Sequence, residues 1–331
     1  MILLYLVMMV GSAGSRPKGG RMASSQDRQA KVIVGADGSD HSHAALEWAA
    51  AEAVRRGVPL HIVHALGMPL IVSAYGGPTR FGPTDEISDQ ATVVLTNAVA
   101  QVQKSQPTLE VDSLTALEEA PLALIRQAHP GDLIVLGTRG LGTVASMFVG
   151  SVSVRVAAQA PCPVVVVPSD DEGKPATTKL DRIVVGVDDS TTARRALGLA
   201  VSLAAEADAE LVVVNSWEVV YPYDPVAMTA AGYLPQDNVF DKHSEELVAE
   251  LIADVMDEQR DDVDIDVTVV RTRSNPVDAL LEASASADAV VVGSRGRGTV
   301  RGLLLGSVSQ GVLHRSKIPV VVLPKHADED N

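Results

Sequence analysis

The chain has 331 residues, a formal net charge of −15, and 46% apolar but only 3% aromatic residues. This length suits about two domains of ordinary size, and 21% charged residues beside that apolar content exclude a disordered acidic polymer. The acid excess argues against nucleic acid, though not against a small anion held by a few local donors, and the lone Cys162 excludes a disulfide framework or a cysteine-based metal cluster within one chain.

In chain order, Met1–Val10 is an unbroken apolar run. A membrane-spanning helix needs about 20 such residues. A secretory signal needs basic residues ahead of its apolar core, whereas Arg16, Lys18 and Arg21 follow it. Residues 1–29 are therefore expected to form an extension outside the fold, disordered or non-native. With neither signal, a cytoplasmic protein without a membrane partner is expected.

A Val/Ile strand at 31–36 ends in Asp37-Gly-Ser39. A helix follows from about Ser42 to Arg56, with Gly57 placed to stop it. The second strand covers Leu60–Ala65. The stretch 66–84 reads as a long loop, of a length that is usually functional or mobile. A helix near 86–105, a strand near 109–115 and a helix opening at Pro121 come next. Two short Val/Leu/Ile runs complete the set. Unbroken runs of this kind mark strands covered on both faces. Cys162, in Ala-Pro-Cys-Pro-Val, reads as a small buried hydrophobe.

The chain then repeats itself. Lys31-Val-Ile-Val-Gly-Ala-Asp37-Gly-Ser39 returns as Arg182-Ile-Val-Val-Gly-Val-Asp188-Asp-Ser190, and Asp132-Leu-Ile-Val-Leu-Gly137 returns as Asp288-Ala-Val-Val-Val-Gly293. Pro163-Val-Val-Val-Val-Pro168 returns as Pro319-Val-Val-Val-Leu-Pro324. The expected organisation is one domain at 30–168, a polar linker at 169–178, a second copy at 179–325 and a tail at 326–331. Strands alternating with helices predict a parallel, doubly wound α/β sheet in each copy. Ligands in such sheets bind at the carboxyl ends of the strands, where the strand order reverses.

The chemistry-bearing motif is Gly137-Thr-Arg139-Gly140, nine residues, then Gly150-Ser151-Val152-Ser153. Its second copy is Gly293-Ser-Arg295-Gly296, nine residues, then Gly306-Ser307-Val308-Ser309. Ten of the 17 aligned positions are identical. The first two glycines let a backbone approach a sugar-phosphate closely. Gly-Ser-Val-Ser opens a helix whose unpaired N–H groups face an anion. The serines either add hydroxyl donors or cap the helix. The arginines either fork onto phosphate oxygens or are solvated loop cations. Asp37 and Asp188 either contact ligand or cap the following helix. Neither a P-loop nor the dinucleotide fingerprint is present. The histidines, among them His41, His43, His61 and His64, offer little to a metal.

These motifs resemble those of the universal stress protein family, in its tandem, actinobacterial form. The resemblance implies two Rossmann-like copies of a five-stranded parallel open sheet of order 3-2-1-4-5, with helices on both faces. It implies ATP as the ligand, with Mg²⁺ accompanying it and no other metal. Ribose and phosphate contacts would come from Gly137, Arg139, Gly140, Gly150, Ser151, Val152 and Ser153. Adenine would lie near Ala36, Asp37 and Ala65. The second set is Val187, Asp188, Ser216, Gly293, Arg295, Gly296, Gly306, Ser307, Val308 and Ser309. The family also pairs domains through the fifth strand, giving a homodimer or an intramolecular pair. The function implied is regulation of stress response, dormancy or growth, with a regulatory protein partner that the sequence does not identify. The alternative is a slow ATPase or phosphoryl-transfer enzyme; fast turnover is not expected, since no P-loop lysine and no dedicated base beyond Asp37 and Asp188 accompanies the phosphate-binding groups.

Overall fold

A computed structural model describes residues 28–73, 76–138, 149–170, 173–217, 237–259, 264–296, 305–325 and 327. The N-terminal extension expected at 1–29 lies almost wholly outside them, as do Arg139 and Gly140.

The first repeat runs β1 (Val32–Gly35), α1 (Asp40–Arg56), β2 (Leu60–Ala65), β3 (Leu70–Ser73), β4 (Gly76–Arg80), α2 (Asp85–Ser105), β5 (Val111–Ala116), α3 (Ala120–Gln127), β6 (Leu133–Gly137), α4 (Ser151–Gln159) and β7 (Val164–Val167). The second runs β8 (Arg182–Gly186), α5 (Thr191–Ala207), β9 (Glu210–Ser216), α6 (Asp237–Glu258), β10 (Val267–Thr272), α7 (Pro276–Ala283), β11 (Ala289–Gly293), α8 (Ser307–Arg315) and β12 (Val320–Leu323). One sheet holds ten strands in the order β10-β9-β8-β11-β12-β7-β6-β1-β2-β5. Each half has the 3-2-1-4-5 order, parallel throughout.

Alternation along the strands divides the core into two layers. Val32 and Val34 face a layer built with α1, α2, α5 and α6, while Ile33 faces one built with α3, α4, α7 and α8. Both layers run through both repeats because β7 and β12 pair antiparallel, Val166 opposite Val320 and Val164 opposite Val322. Each fully buried valine there contributes about 1.5–3 kcal/mol. Cys162 is fully buried beside this seam. A thiol reagent is expected to leave native protein unmodified for hours and to label one equivalent after denaturation; rapid labelling of native protein would contradict that burial.

The helix starts follow from serines. Ser39 and Ser190 are the N-caps of α1 and α5, each hydroxyl accepting the N–H three residues on, at 3.2 and 3.1 Å. Gly57 ends α1 in the left-handed region at φ 64°, whereas α5 ends on Asp208 at φ 55°, a strained choice for a residue with a Cβ. At the amino ends of the strands, buried Asp132 accepts the Lys31 N–H at 3.0 Å and Asp288 accepts the Arg182 N–H at 3.0 Å. Each of these carboxylates ties the first strand of its repeat to the fourth.

One segment differs from the sequence reading. The expected loop 66–84 contains the β3–β4 hairpin, held by the Arg80 guanidinium on the Met68 carbonyl at 2.8 Å. The polar linker is compact: Ser169 bridges Pro175, the Ser169 hydroxyl bonds His41, and the Arg55 guanidinium donates to the Thr178 carbonyl at 2.8 Å. It therefore folds back onto α1.

Candidate nucleotide site

The carboxyl ends of β8, β9 and β11 and the starts of α5, α7 and α8 enclose a cleft of about 380 Å³ in the second repeat. That volume lies in the range of small-ligand sites. Val187, Ala193, Val214, Leu280, Val292 and Leu305 make an apolar wall. Asp188, Ser190, Arg295 and the first turn of α8 make a polar one. An amphipathic ligand with an anionic end matches that division.

The structure brings together all ten residues expected in this half. Val187, Asp188, Ser216, Gly293, Arg295 and Gly296 line the cleft, as do Gly306, Ser307, Val308 and Ser309. In the first repeat the counterparts among the described residues hold the same places. Ala36 and Asp37 follow β1, Ala65 ends β2 and Gly137 ends β6. Gly150 caps α4, and Ser151, Val152 and Ser153 form its first turn.

The acidic pair does not cap helices. Asp188 Oδ1 accepts from the Ser190 N–H at 3.0 Å and its hydroxyl at 2.5 Å; Asp37 accepts from Ser39 at 3.0 and 2.6 Å. Each carboxylate thus steadies the capping serine, and that serine steadies the helix. Asp188 Oδ2 turns toward Gly296, where a Cβ would sit 2.7 Å from it.

Packing within the fold accounts for two features of the motif. Helix packing by itself leaves no room for a side chain at Gly137 or Gly293. A Cβ on Gly137 would lie 2.4 Å from the His41 carbonyl oxygen, and one on Gly293 would lie 2.7 Å from the Thr192 methyl. Ser153 and Ser309 are neither caps nor available donors. The Ser153 hydroxyl donates to the Gly137 carbonyl at 2.8 Å, and Ser309 lies 3.0 Å from the carbonyls of both Ser294 and Gly306. A hydroxyl has one proton, and here the strand end takes it. The Gly306 N–H is also spent, on the Ser294 carbonyl at 2.7 Å. What remains at the polar wall are the N–H groups of Ser307, Val308 and Ser309, which have no acceptor within the helix, together with the helix dipole.

Sequence reasoning passed over one pair. The Asn215 amide donates to the Val187 carbonyl at 2.9 Å, and His64 Nδ1 lies 2.7 Å from the Ala36 carbonyl. Register makes the two equivalent, since Val63 pairs Gly35 and Val214 pairs Gly186. Each pins the residue before the acidic one. The available signal was a polar residue near the end of an apolar strand in both copies.

Among the described residues, no cluster of three or more His, Cys, Asp or Glu is arranged for a metal. Nor is any helix there long and apolar enough to cross a membrane.

A family model described as the universal stress protein family matches residues 30–168 and 179–324. The universal stress protein Rv2005c of Mycobacterium tuberculosis is 32% identical over 299 residues, 89% of this chain and 97% of its own length. Rv1996 of the same organism is 32% identical over 313 residues, 90% of this chain and 96% of its own. A crystal structure of a universal stress protein from Archaeoglobus fulgidus shares the fold, with a TM-score of 0.60 at 21% identity over 91% of this chain and 97% of that one.

Proposed function

Because the chain belongs to the universal stress protein family, we propose that it is an ATP-binding regulator of stress response, dormancy or growth, with one nucleotide site in each of two units, 30–168 and 179–325. The observation that carries this is the second-repeat cleft, where an apolar wall faces a carboxylate, an arginine and a helix N-terminus. Those groups suit a base, a ribose and a phosphate chain in turn. The residues that would hold ATP are Asp188 and Ser216 toward the nucleoside, and Arg295 with the α8 N–H groups toward the phosphates. ATP would bring its own Mg²⁺. The first repeat carries the same motif.

The sheet adds a geometric consequence. The strands of each repeat are parallel, and the two sets meet antiparallel at β7 and β12. The carboxyl ends of the two repeats therefore face opposite ways, and one ligand does not bridge both sites. With both fifth strands paired inside the chain, homodimerisation would have to use another surface.

Titration of nucleotide-free protein with ATP and Mg²⁺ in a calorimeter is expected to show close to two equivalents bound. Absence of binding overturns the proposal. ADP accumulating at a steady enzymatic rate would favour the phosphoryl-transfer alternative instead.

A further inference from the structure

The two outer edges of the ten-stranded sheet differ in charge. β5 ends the sheet on the first-repeat side and β10 on the second, and among the described residues no strand covers either. α2 lies over β2 and β5, as α6 lies over β9 and β10. The two helices align through their buried positions, Ala91, Ala98 and Val102 on α2 with Ser244, Leu251 and Val255 on α6. From Gln90 to Gln103 α2 carries no charged residue, whereas the matching stretch of α6 carries Glu245, Glu246, Glu250 and Asp254. On β10, Arg271 binds Asp241 at 2.8 Å and reaches Glu245 at 4.0 Å, so ion pairs guard that edge. At the β5 edge, Thr92, Thr96, Ala100, Gln103 and Ser113 help to line an open groove of about 390 Å³. Six of the nine large apolar side chains exposed among the described residues belong to this side of the fold: Leu70, Ile71 and Val72 on the hairpin, Phe81 after it, Val93 on α2 and Leu117 after β5.

The β5 edge has the geometry to pair with itself. The Glu110 and Ala116 carbonyls accept the N–H groups of Leu60 and Leu66, both at 2.9 Å, so the even-numbered residues of β5 turn toward β2. Val111, Ser113 and Thr115 therefore aim their N–H and C=O groups outward. Antiparallel pairing about a two-fold axis at Ser113 sets Ser113 opposite its own copy, Val111 opposite Thr115 and Asp112 opposite Leu114. No carboxylate then stands directly opposite another, and Asp112 is bonded to His61 of its own chain. Paired strands lie about 4.8 Å apart, so two α2 helices, each above its own β2 and β5, would run antiparallel about 10 Å apart. That is a helix-packing distance, and Thr96 and Ala100 are small enough to allow it. The 21 residues of α2 span about 31 Å, and a strand beneath a helix is about 20 Å deep. The product is about 600 Å² per copy before the hairpin is added, close to the roughly 800 Å² per partner of a stable interface.

We propose that the chain forms a homodimer through β5 and α2, joining two ten-stranded sheets into one of twenty. A second copy fits this edge because the chain carries a formal charge of −15, and two such copies repel one another except where charge is absent. Antiparallel pairing of edge strands already joins the two repeats at β7 and β12. The interface uses neither fifth strand and none of the residues lining the second-repeat cleft. It therefore stands apart from the nucleotide reading.

The test is sedimentation velocity of the full chain over a concentration series, without nucleotide. A species of two chains is expected, in equilibrium with the single chain. Thr96→Glu together with Ala100→Glu, both at exposed positions, sets like charges across the axis and is expected to weaken association at least tenfold. Ala253→Glu, at the α6 position matching Ala100, is expected to leave it unchanged. Ser113→Cys is expected to give a covalent dimer on mild oxidation with diamide. Directly opposed residues of a hydrogen-bonded antiparallel pair lie about 5.5 Å apart at Cα, within disulfide reach. Val269→Cys, the counterpart on β10, is expected to give none. A single-chain mass throughout the series overturns the proposal. So does association indifferent to the two glutamates, or cross-linking at Val269 and not at Ser113.

Discussion

Gly137→Ala is expected to destabilise the first repeat by about 3 kcal/mol or more, toward the upper end of overpacking penalties. The new methyl group would meet the carbonyl oxygen and carbon of His41 at 2.4 and 2.8 Å. Those atoms are backbone in the first turn of α1, which Ser39 and the linker contact at Ser169 both hold in place. A flexible side chain could swing aside, but this helix turn cannot without breaking its cap. At roughly 2–4 °C per kcal/mol for a unit of this size, thermal unfolding should begin about 6–12 °C lower. Gly131→Ala separates this collision from conformational strain. It has nothing within 4 Å of a new Cβ, but φ is +88°, so only about 1 kcal/mol is expected, from the backbone. Equal losses in the two variants would show that the helix contact is not what requires Gly137.

Gly296→Ala is expected to do the opposite, sparing the fold and damaging the site. Its Cβ would lie 2.7 Å from Asp188 Oδ2, and that oxygen must move. Oδ1 is tied to Ser190, so the carboxylate can only rotate out of its place on the cleft. Losing one charge-assisted contact is worth about 1.5–3 kcal/mol, hence at least a tenfold weaker second site. Calorimetry should then show one strong equivalent of ATP, with the first repeat as internal reference and the melting temperature nearly unchanged. Two unaltered sites would remove Asp188 from the binding argument.

The contrast between these glycines shows how far the sequence could be read. Their spacing marked the motif, but not which glycine answers to a ligand. The atom that excludes a side chain at Gly137 belongs to His41, 96 residues earlier in the chain. No local pattern encodes that meeting. Strands such as Val164–Val167 were legible because both faces are buried and every position is apolar. The bounds of α5 were legible from Ser190 before it and the small, apolar-rich composition within it. The β3–β4 hairpin was not, because it joins neither core layer. Val72, on β3, is 75% exposed, so burial leaves no alternating imprint there. The Asp-x-Ser pair was visible as a spacing, but the direction of its hydrogen bonds was not. Asn215 and His64 stand near the ends of apolar strands, and only the fold shows the carbonyls, 28 residues back, that they hold.

The position of β12 bears on how the chain is made. It leaves the ribosome long after β7, yet it lies between β11 and β7 in the middle of the sheet. The first repeat can fold as soon as β7 emerges, with that strand's outer edge bare. About 155 residues separate Val165 from Val321. At roughly 5–20 residues per second, synthesis leaves the valine edge open for about 8–30 s. In that interval the complementary surface nearest to hand on a crowded polysome is the same edge of a neighbouring nascent chain. Fusing two repeats into one polypeptide shortens that exposure, because the correct partner strand is already being delivered on a tether.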